Sequence, residues 1–309
     1  MLTPRAPDEQ MTVTPMPEQP RISVGIPIYN GARWIGATAE SILSQTERDL
    51  ELILCDNASQ DGSETICRAI AAADPRVHYV RNPQNIGAPA NYNLCLELAK
   101  GEYFKWNSAS DLCKPQLLEK CIAILDANPD VALAYSHTAL LRDDGTTSSE
   151  DDALELDSES PVERFTKLLE KRGLNHVMNG VMRREMLNQT MLHQSFYSSD
   201  ICLMAEISLY GKFVQLPECL FFRRHTPETA SILRTEKDLQ KYFDPQLKSK
   251  MLFQRIKLHG GFFQAVGRSS ISGAQKRALY RYLLRRMRWS RKALFEDIVL
   301  AVKKTFSRE

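Results

Sequence analysis

Residues 49–62 have the sequence DLELILCDNASQDG, in which a short apolar run ends abruptly in polar residues. The run Leu50–Cys55 has the length and apolar content of a buried strand. Asp56 follows it at the start of a segment rich in Asn, Ser, Asp and Gly, which are typical of turns. Ligands of open α/β sheets bind at the carboxyl ends of the strands. The stretch therefore predicts a strand that delivers the Asp56 carboxylate to a binding edge; the alternative is an Asx turn that only shapes the loop.

A second apolar run, Ile22–Ile28, lies just upstream and also ends in a polar loop that contains Tyr29 and Asn30. Further strands and helices alternate with these two as far as about residue 141. Such alternation predicts an α/β fold with a mostly parallel central sheet and right-handed crossovers. The predicted helices are 33–45, 63–73, 88–99 and 115–127, and the predicted strands are 22–28, 50–55, 77–80, 102–106 and 131–141.

The composition excludes several classes of protein. A formal net charge of +2 argues against a nucleic-acid binder, and the chain has no run of 18 apolar residues that could span a membrane. The N-terminus lacks the pattern of a secretory signal. Seven scattered cysteines without a Cys-x-x-Cys pair indicate reduced, buried thiols and a cytoplasmic location.

Three segments are predicted along the chain. Residues 1–20 hold five prolines and little apolar periodicity, which is typical of a disordered arm. Residues 21–232 form the main α/β domain, which divides into 21–112 and 113–232. Residues 233–309 form a basic helical region, with eleven Lys and Arg against three Asp and Glu from residue 275 onward.

Two loops after later strands contain candidate ligand-binding residues. Asn85 and Gly87 precede a helix whose free N–H groups could hold an anion, although an ordinary strand-to-helix turn explains them equally. Asp111 follows the strand 102–106 and could hold a ribose hydroxyl or a divalent cation; the alternative is a helix cap. Because Asp111 is the one carboxylate in that loop, its chemistry alone does not predict a strong metal site.

Residues 113–232 contain two further candidates. Asp200 opens the predicted helix 199–210, where a carboxylate is either a general base or an N-cap. Arg223, Arg224 and His225 follow one another at a strand end; two guanidinium groups can clamp a diphosphate, and His can bind a metal, while a solvated basic turn is the alternative.

Three common motifs are missing from the sequence. There is no Gly-x-x-x-x-Gly-Lys-Ser/Thr phosphate loop, no Gly-x-Gly-x-x-Gly after the first strand, and no Gly-x-Ser-x-Gly elbow. These absences argue against a P-loop enzyme, a dinucleotide-dependent oxidoreductase and an α/β-hydrolase.

The polar loops that follow the predicted strands, taken in order along the chain, resemble those of family 2 glycosyltransferases, which have the GT-A fold. The matching segments are Val24–Asn30, Leu54–Ser63, Asn85–Gly87 with Asn91 and Asn93, and Ala99–Tyr103. The resemblance covers roughly residues 21–231 and implies an inverting transfer from a nucleotide sugar, expected to be UDP-linked, to a saccharide or lipid-linked acceptor. It also implies a bacterial polysaccharide pathway, Asp200 as the catalytic base, and Mg or Mn as cofactor. Residues 21–112 would then be the nucleotide-binding half and 113–232 the acceptor half. Pro27, Tyr29 and Asp56 would frame the nucleoside, and the nucleotide site would also include Asn30, Asn85, Gly87 and Asp111.

The sequence departs from the family pattern at both expected metal ligands. Where family members carry Asp-x-Asp or Asp-Asp, this chain has Ser108, Ala109, Ser110 and Asp111. His225 lies one residue earlier than the family's usual histidine, and such an offset at a strand end can turn the side chain away. Metal affinity is therefore expected to be weak, or Arg223 and Arg224 to stabilise the leaving group instead.

Two alternatives to an active transferase follow from these departures. The first is a catalytically weak or inactive relative that binds nucleotide sugars. The second is a nucleotidyltransferase, although Pro27–Gly31 is not the Gly-rich, basic loop that such enzymes use.

The C-terminal segment 281–306 mixes apolar and basic residues. Residues 275–309 are either an amphipathic surface that contacts the inner face of a membrane or a helical cap with a solvated basic face.

Overall fold

The computed structural model describes residues 19–149, 153–171, 175–226, 235–246 and 251–306. Almost all of the N-terminal arm predicted at residues 1–20 lies outside this part of the chain. A nine-stranded sheet organises the described residues. Its strands are β1 (Ile22–Ile28), β2 (Leu50–Asp56), β3 (Val77–Arg81), β4 (Tyr103–Trp106), β5 (Leu112–Cys113), β6 (Val131–Leu141), β7 (Thr147–Ser149), β8 (Val181–Arg183) and β9 (Lys212–Arg224).

The sheet has the order β3-β2-β1-β4-β8-β6-β9-β5, and β7 pairs with β6. Strands β3, β2, β1 and β4 are all parallel, so their carboxyl ends meet at one edge. In the other half, β6 and β9 are parallel, while β8 and β5 run antiparallel to their neighbours. The parallel half thus brings the loops after β1, β2 and β4 side by side, as the sequence predicts.

Eleven helices accompany the strands within the described residues. They are α1 (Ile35–Leu43), α2 (Ser63–Ala73), α3 (Ala88–Glu97), α4 (Leu117–Ala127), α5 (Pro161–Glu170), α6 (Arg184–Leu187), α7 (Ser199–Tyr210), α8 (Glu236–Phe243), α9 (Gln254–Arg268), α10 (Gly273–Trp289) and α11 (Arg291–Phe306), and a 3₁₀ turn covers His176–Asn179. No described helix is both long and apolar enough to cross a membrane.

Two element boundaries differ from the sequence prediction for physical reasons. Helix α4 begins at Leu117 rather than Pro115, whose carbonyl instead accepts a hydrogen bond from the backbone N–H of Thr46. The apolar stretches 213–216 and 219–224, which Pro217 and Glu218 separate, predict two strands but form one strand, β9. Pro217 and Glu218 fall at a register shift opposite Ser136 and His137, and a bulge tolerates a proline that cannot donate a ladder hydrogen bond.

Hydrophobic cores cover the two faces of the sheet. One contains side chains from β1 and β2 together with α1, α2 and α4. The other combines β4 and β6 with α3, α5, α7, α9 and α10. In this second core the rings of Phe165 on α5 and Phe262 on α9 are 6.3 Å apart and nearly perpendicular, an arrangement that stabilises aromatic pairs. The C-terminal helices α9 and α10 therefore share a core with the α/β domain.

Candidate active site

A cavity of about 270 Å³ opens where the parallel strands β1 and β2 end. Four of the residues predicted to bind a nucleotide line this first cavity: Pro27, Tyr29, Asn30 and Asn85. Trp34, Tyr92 and Tyr242 add aromatic surface to its wall, and Ser108 and Ser110 add hydroxyl groups. Apolar rings with a few polar groups are typical of a site that holds a flat heterocycle in one orientation.

A network of asparagine side chains fixes one wall of the first cavity. Asn57 donates to Oδ1 of Asn85 at 2.8 Å, and its own Oδ1 accepts from the amide of Asn82 at 3.1 Å and from the Ile86 backbone at 2.9 Å. Asn82 also donates to Asn91 at 3.0 Å. Because each side-chain amide in this network is hydrogen-bonded to another, the loop that carries Asn85 is pre-organised.

Asp56 lies behind this wall rather than in it. Its side chain is fully buried; Oδ1 accepts from the Ser59 backbone N–H at 2.8 Å, and Oδ2 accepts from the Tyr79 hydroxyl at 2.8 Å and from Arg81. Burial alone would raise the pKa of Asp56, but hydrogen bonds from Ser59, Tyr79 and Arg81 outweigh it and hold the pKa below its usual value. Both oxygens are thus engaged within the protein, and direct contact of Asp56 with a nucleoside stays a prediction.

Gly87 adopts a left-handed backbone conformation, with φ of +84°. A Cβ at this position would come within 2.5 Å of the carbonyl oxygen of Phe243, the last residue of α8. The glycine therefore lets α8 pack against the start of α3. Since α8 also supplies Asp238, Lys241 and Tyr242 to the first cavity, Gly87 shapes that cavity through α8.

A second cavity, of about 560 Å³, adjoins the first and shares Tyr92, Ser108, Ser110 and Tyr242 with it. It brings together predicted residues from distant parts of the chain: Asp111, Asp200, Arg223 and Arg224. The cavity thus holds two carboxylates and two guanidinium groups. The guanidinium groups suit an anionic ligand that extends from the aromatic first cavity into the second.

Asp200 is the second residue of helix α7, whose cap position is occupied by Ser198 in the left-handed conformation. The interpretation of Asp200 as an N-cap is therefore wrong. Its Oδ2 instead accepts a hydrogen bond from the side-chain amide of Asn175 at 2.7 Å. The carboxylate is held by a neutral donor at one oxygen and lines the second cavity.

His193 forms part of the same cavity wall. Its ring packs against those of Tyr92 and Trp106, with centroids 5.0 and 5.1 Å away. Burial lowers the pKa of His193 to about 4, although the nearby Asp200 carboxylate acts in the opposite direction. The imidazole is therefore neutral at physiological pH.

The loop after β4 is short of metal ligands. Ser108 and Ser110 place their hydroxyl oxygens 3.1 Å apart, and Oδ1 of Asp111 already accepts from the Arg224 backbone N–H at 2.9 Å. His225 lines neither cavity. Among the described residues, no group of three or more His, Cys, Asp and Glu side chains could hold a metal ion. Two neutral hydroxyls and one engaged carboxylate do not fit the oxygen-rich, charged shell that Mg²⁺ or Mn²⁺ requires.

The profile of glycosyl transferase family 2 matches residues 23–191, which is more than half of the chain and includes the first cavity's β1, β2 and β4 loops. The chain belongs to glycosyl transferase family 2. This membership confirms the predicted family and supports the predicted transferase class. It leaves the nucleotidyltransferase alternative without support, and an inactive binding protein is not favoured.

Individual relatives match this chain over stretches of different length. An uncharacterised glycosyltransferase of Haemophilus influenzae is 25% identical over 227 residues, which are 71% of this chain and 70% of the relative. The putative glycosyltransferase EpsE of Bacillus subtilis is 41% identical over 108 residues, or 35% of this chain and 39% of EpsE. The putative teichuronic acid biosynthesis glycosyltransferase TuaG of the same organism is 32% identical over 128 residues, or 41% of this chain and 50% of TuaG. The match thus spans two fifths to one half of the length of EpsE and TuaG.

Solved structures confirm the GT-A-like fold. The structure of S. aureus TarS 1–349 in complex with UDP aligns with a TM-score of 0.60 at 15% identity, covering 88% of this chain and 73% of that one. The mannosyltransferase PcManGT from Pyrobaculum calidifontis, in complex with GDP-Man and Mn²⁺, aligns with a TM-score of 0.50 at 18% identity, covering 94% and 88%.

The structure also adds residues that the sequence interpretation missed. Tyr92, Asn175, His193 and Tyr242 line the second cavity but stand outside any recognisable motif. Asn175 adopts a left-handed backbone conformation with φ of 53°, which asparagine favours over most residues. An asparagine at this position could therefore suggest a turn, but not the contact of its side chain with Asp200.

Proposed function

We propose that this family 2 enzyme transfers a sugar, with inversion, from a UDP-linked donor to a saccharide or lipid-linked acceptor of a bacterial polysaccharide pathway. The nucleoside would occupy the first cavity against Pro27, Tyr29, Asn30 and Asn85, and the diphosphate and sugar would extend into the second. The structure of TarS with UDP-GlcNAc supports the donor class, and the match to TuaG, named for teichuronic acid biosynthesis, supports the polysaccharide pathway.

The arrangement of Asp200 and the two arginines in one cavity carries the proposal. Asp200 accepts the proton of the acceptor hydroxyl while the hydroxyl oxygen bonds to the anomeric carbon. The bond between that carbon and the phosphate oxygen breaks, and UDP leaves with the electron pair. Because attack and departure occur on opposite faces of the sugar, the anomeric configuration inverts.

Arg223 and Arg224 are proposed to stabilise the departing diphosphate. The backbone N–H of Arg224 is fixed to Asp111, and its Nε donates to the Ser110 carbonyl at 3.1 Å, so this side chain is anchored at the boundary of the two cavities. Guanidinium groups bind phosphate oxygens through charge-assisted hydrogen bonds. The oxygen atoms of Ser108, Ser110 and Asp111 do not form a comparable binding site for a cation. We therefore propose that the transfer reaction depends only weakly on metal.

The decisive experiment measures UDP-sugar turnover and UDP binding in the same preparations. Asp200→Asn is expected to lower turnover by roughly 10²- to 10⁴-fold, the range for loss of a general base, with UDP affinity unchanged. Asp143→Asn, at an exposed carboxylate 3.2 Å from Arg33, is the matched control and should behave as wild type. Equal turnover in wild type and Asp200→Asn would contradict the assigned base.

A second measurement separates the diphosphate role from the nucleoside role. Arg223→Ala and Arg224→Ala should weaken UDP binding and leave uridine binding unchanged. Turnover by the wild-type protein should persist in EDTA. Strong, saturable stimulation by micromolar Mn²⁺ would overturn the weak metal dependence.

A further inference from the structure

Six of the nine exposed large apolar side chains among the described residues lie on helices α10 and α11. They are Leu284, Trp289, Phe295, Ile298, Leu300 and Val302, and we call them the C-terminal apolar set. Trp289 and Phe295 are 69% and 65% exposed, respectively. A helical cap with a solvated basic face does not require this concentration of exposed rings and aliphatic groups, and such concentrations mark interaction surfaces.

The apolar set follows helical spacing on α11. Phe295, Ile298 and Val302 are separated by three and four residues and therefore share one side of the helix, while Ala301 is buried. This helix consequently has one face packed against the protein and another that presents apolar groups outward.

Basic residues accompany the apolar set. Between residues 273 and 306 there are ten Lys and Arg and two acidic residues, Glu296 and Asp297. Asp297 is engaged elsewhere, because its Oδ2 accepts from the backbone N–H groups of Arg255 and Ile256 at the start of α9. The outward charge of the two helices is therefore strongly positive.

The arginines of α10 stand beside the apolar groups. Arg281 and Arg285 are one turn apart, and the guanidinium of Arg285 lies 5.3 Å from the ring centroid of Trp289. Within the described residues, neither arginine forms an ion pair with a carboxylate. Cationic groups without acidic partners, next to an exposed tryptophan, complement an anionic surface that also accepts apolar groups.

We propose that the outer faces of α10 and α11 dock on an anionic phospholipid membrane, with the C-terminal apolar set at the boundary between headgroups and acyl chains. Interfacial helices combine Trp, Phe and Leu with Lys and Arg in this way. Protein–protein interfaces are depleted of lysine, whereas α11 also exposes Lys292 and Lys303, so the positive charge of this face favours anionic lipid as the partner. Docking can be measured without the transfer reaction. If the proposed function holds, docking also brings the enzyme to lipid-linked acceptors.

A chain of contacts joins the membrane-docking face to the second cavity. Asp297 of α11 binds the first turn of α9, and Gln254 at the start of α9 accepts a hydrogen bond from the Tyr197 backbone at 3.0 Å. Tyr197 lines the second cavity with Asp200. The docking face is therefore fixed, through α9, to the wall of the cavity that is proposed to receive the acceptor.

Flotation of the full chain with vesicles tests the proposal. Wild type should float with vesicles of phosphatidylcholine and phosphatidylglycerol at 0.1 M salt, and at least tenfold less with phosphatidylcholine alone. The variant Trp289→Ser/Phe295→Ser should lose at least five-sixths of the bound fraction, and Arg281→Glu/Arg285→Glu should do the same.

Matched controls keep the outcome interpretable. Leu98→Ser removes an exposed apolar side chain on another part of the surface, and Arg68→Glu reverses an exposed charge on α2; both should float as wild type. UDP binding should be unchanged in every variant, which shows that each is folded and keeps this test separate from the proposed transfer.

Two results would overturn the membrane assignment. One is the absence of flotation of wild type with anionic vesicles, whether or not turnover is detected. The other is a wild-type dimer in gel filtration that Trp289→Ser/Phe295→Ser converts to a monomer without any change in flotation, since a second copy of the chain would then cover the face.

Discussion

The side-chain amide of Asn175 donates a hydrogen bond to Oδ2 of Asp200 at 2.7 Å, across 25 residues of sequence. Asn175 precedes the 3₁₀ turn at His176–Asn179, and Asp200 lies in the first turn of α7. One carboxylate oxygen is thus held in a fixed orientation. In the proposed reaction the other oxygen would accept the proton of the acceptor hydroxyl, and Asn175 would then be a positioning residue for this base.

Replacing Asn175 by Gly should therefore lower kcat by about 10- to 100-fold while the KM for the donor changes less than twofold, because misorientation of a catalytic group affects the chemical step. Glycine is the informative replacement, since it tolerates the left-handed backbone and removes only the amide. Steady-state kinetics and thermal unfolding check this. A parallel loss of donor affinity and stability would instead mean that Asn175 only supports the loop.

Ser110→Asp should raise the affinity of the loop after β4 for Mn²⁺. The Ser110 hydroxyl lies 3.4 Å from Oδ1 of Asp111, so a second carboxylate here would supply the adjacent acidic oxygens that hard cations prefer. Calorimetric titration with Mn²⁺ is expected to show binding at least tenfold tighter than in wild type. Ser108→Ala, which adds no charge, is the control, and equal Mn²⁺ affinity in all three proteins would contradict the prediction.

Gly87→Ala should destabilise the protein by about 1–3 kcal/mol, because it forces a side chain into a left-handed conformation and against the Phe243 carbonyl. It should also weaken UDP binding, since α8 contributes to the first cavity. Gly36→Ala on α1 is the matched control, because no atom lies within 4 Å of the added Cβ. That replacement should be neutral or stabilising by a few tenths of a kcal/mol up to about 1 kcal/mol, as for Gly to Ala in a helix. Chemical denaturation of both variants provides the measurement.

The buried His193 predicts a specific pH dependence of stability. Its pKa of about 4 in the folded protein lies below the ordinary value of 6.5, so between these values the unfolded chain binds a proton that the folded protein does not. The free energy of unfolding should therefore fall as the pH decreases from 6.5 to 4, by up to roughly 3 kcal/mol from this group.

His193→Phe tests this assignment, because phenylalanine retains a ring between Tyr92 and Trp106 and removes the titrating group. Between pH 4 and 6.5 the unfolding free energy of the variant should depend less steeply on pH than that of wild type, because the contribution of His193 is missing. Identical slopes for the two proteins would show that His193 does not contribute to the acid sensitivity.

Much of the parallel half of the fold follows from local sequence. Strand β1 and helix α2 have the bounds that the apolar runs and turn residues predict, and so does β6 in the other half of the sheet. Since the loops after parallel strands share one edge, the meeting of Tyr29, Asn85 and Asp111 around two adjoining cavities could also be expected.

The other features of the fold and of the candidate site depend on tertiary contacts that no local sequence pattern indicates. The single strand β9 runs through Pro217 because β6 provides a partner on both sides of the bulge. Asp56 is an acceptor at a strand end, as its position indicates, but Tyr79 and Arg81 on the neighbouring strand occupy it. Likewise, nothing in the sequence around His193 or Asn175 indicates that both lie beside Asp200.

The three tryptophans of the chain occupy three different environments. Trp34 lines the first cavity, Trp106 is buried beside His193, and Trp289 is exposed on α10. The protein therefore carries an intrinsic fluorophore at each place where an event is proposed to occur. Quenching of Trp34 emission would report donor arrival, a red shift of Trp106 would report opening of the core, and a blue shift of Trp289 would report its transfer into lipid, so single-tryptophan variants could follow the three processes without any attached label.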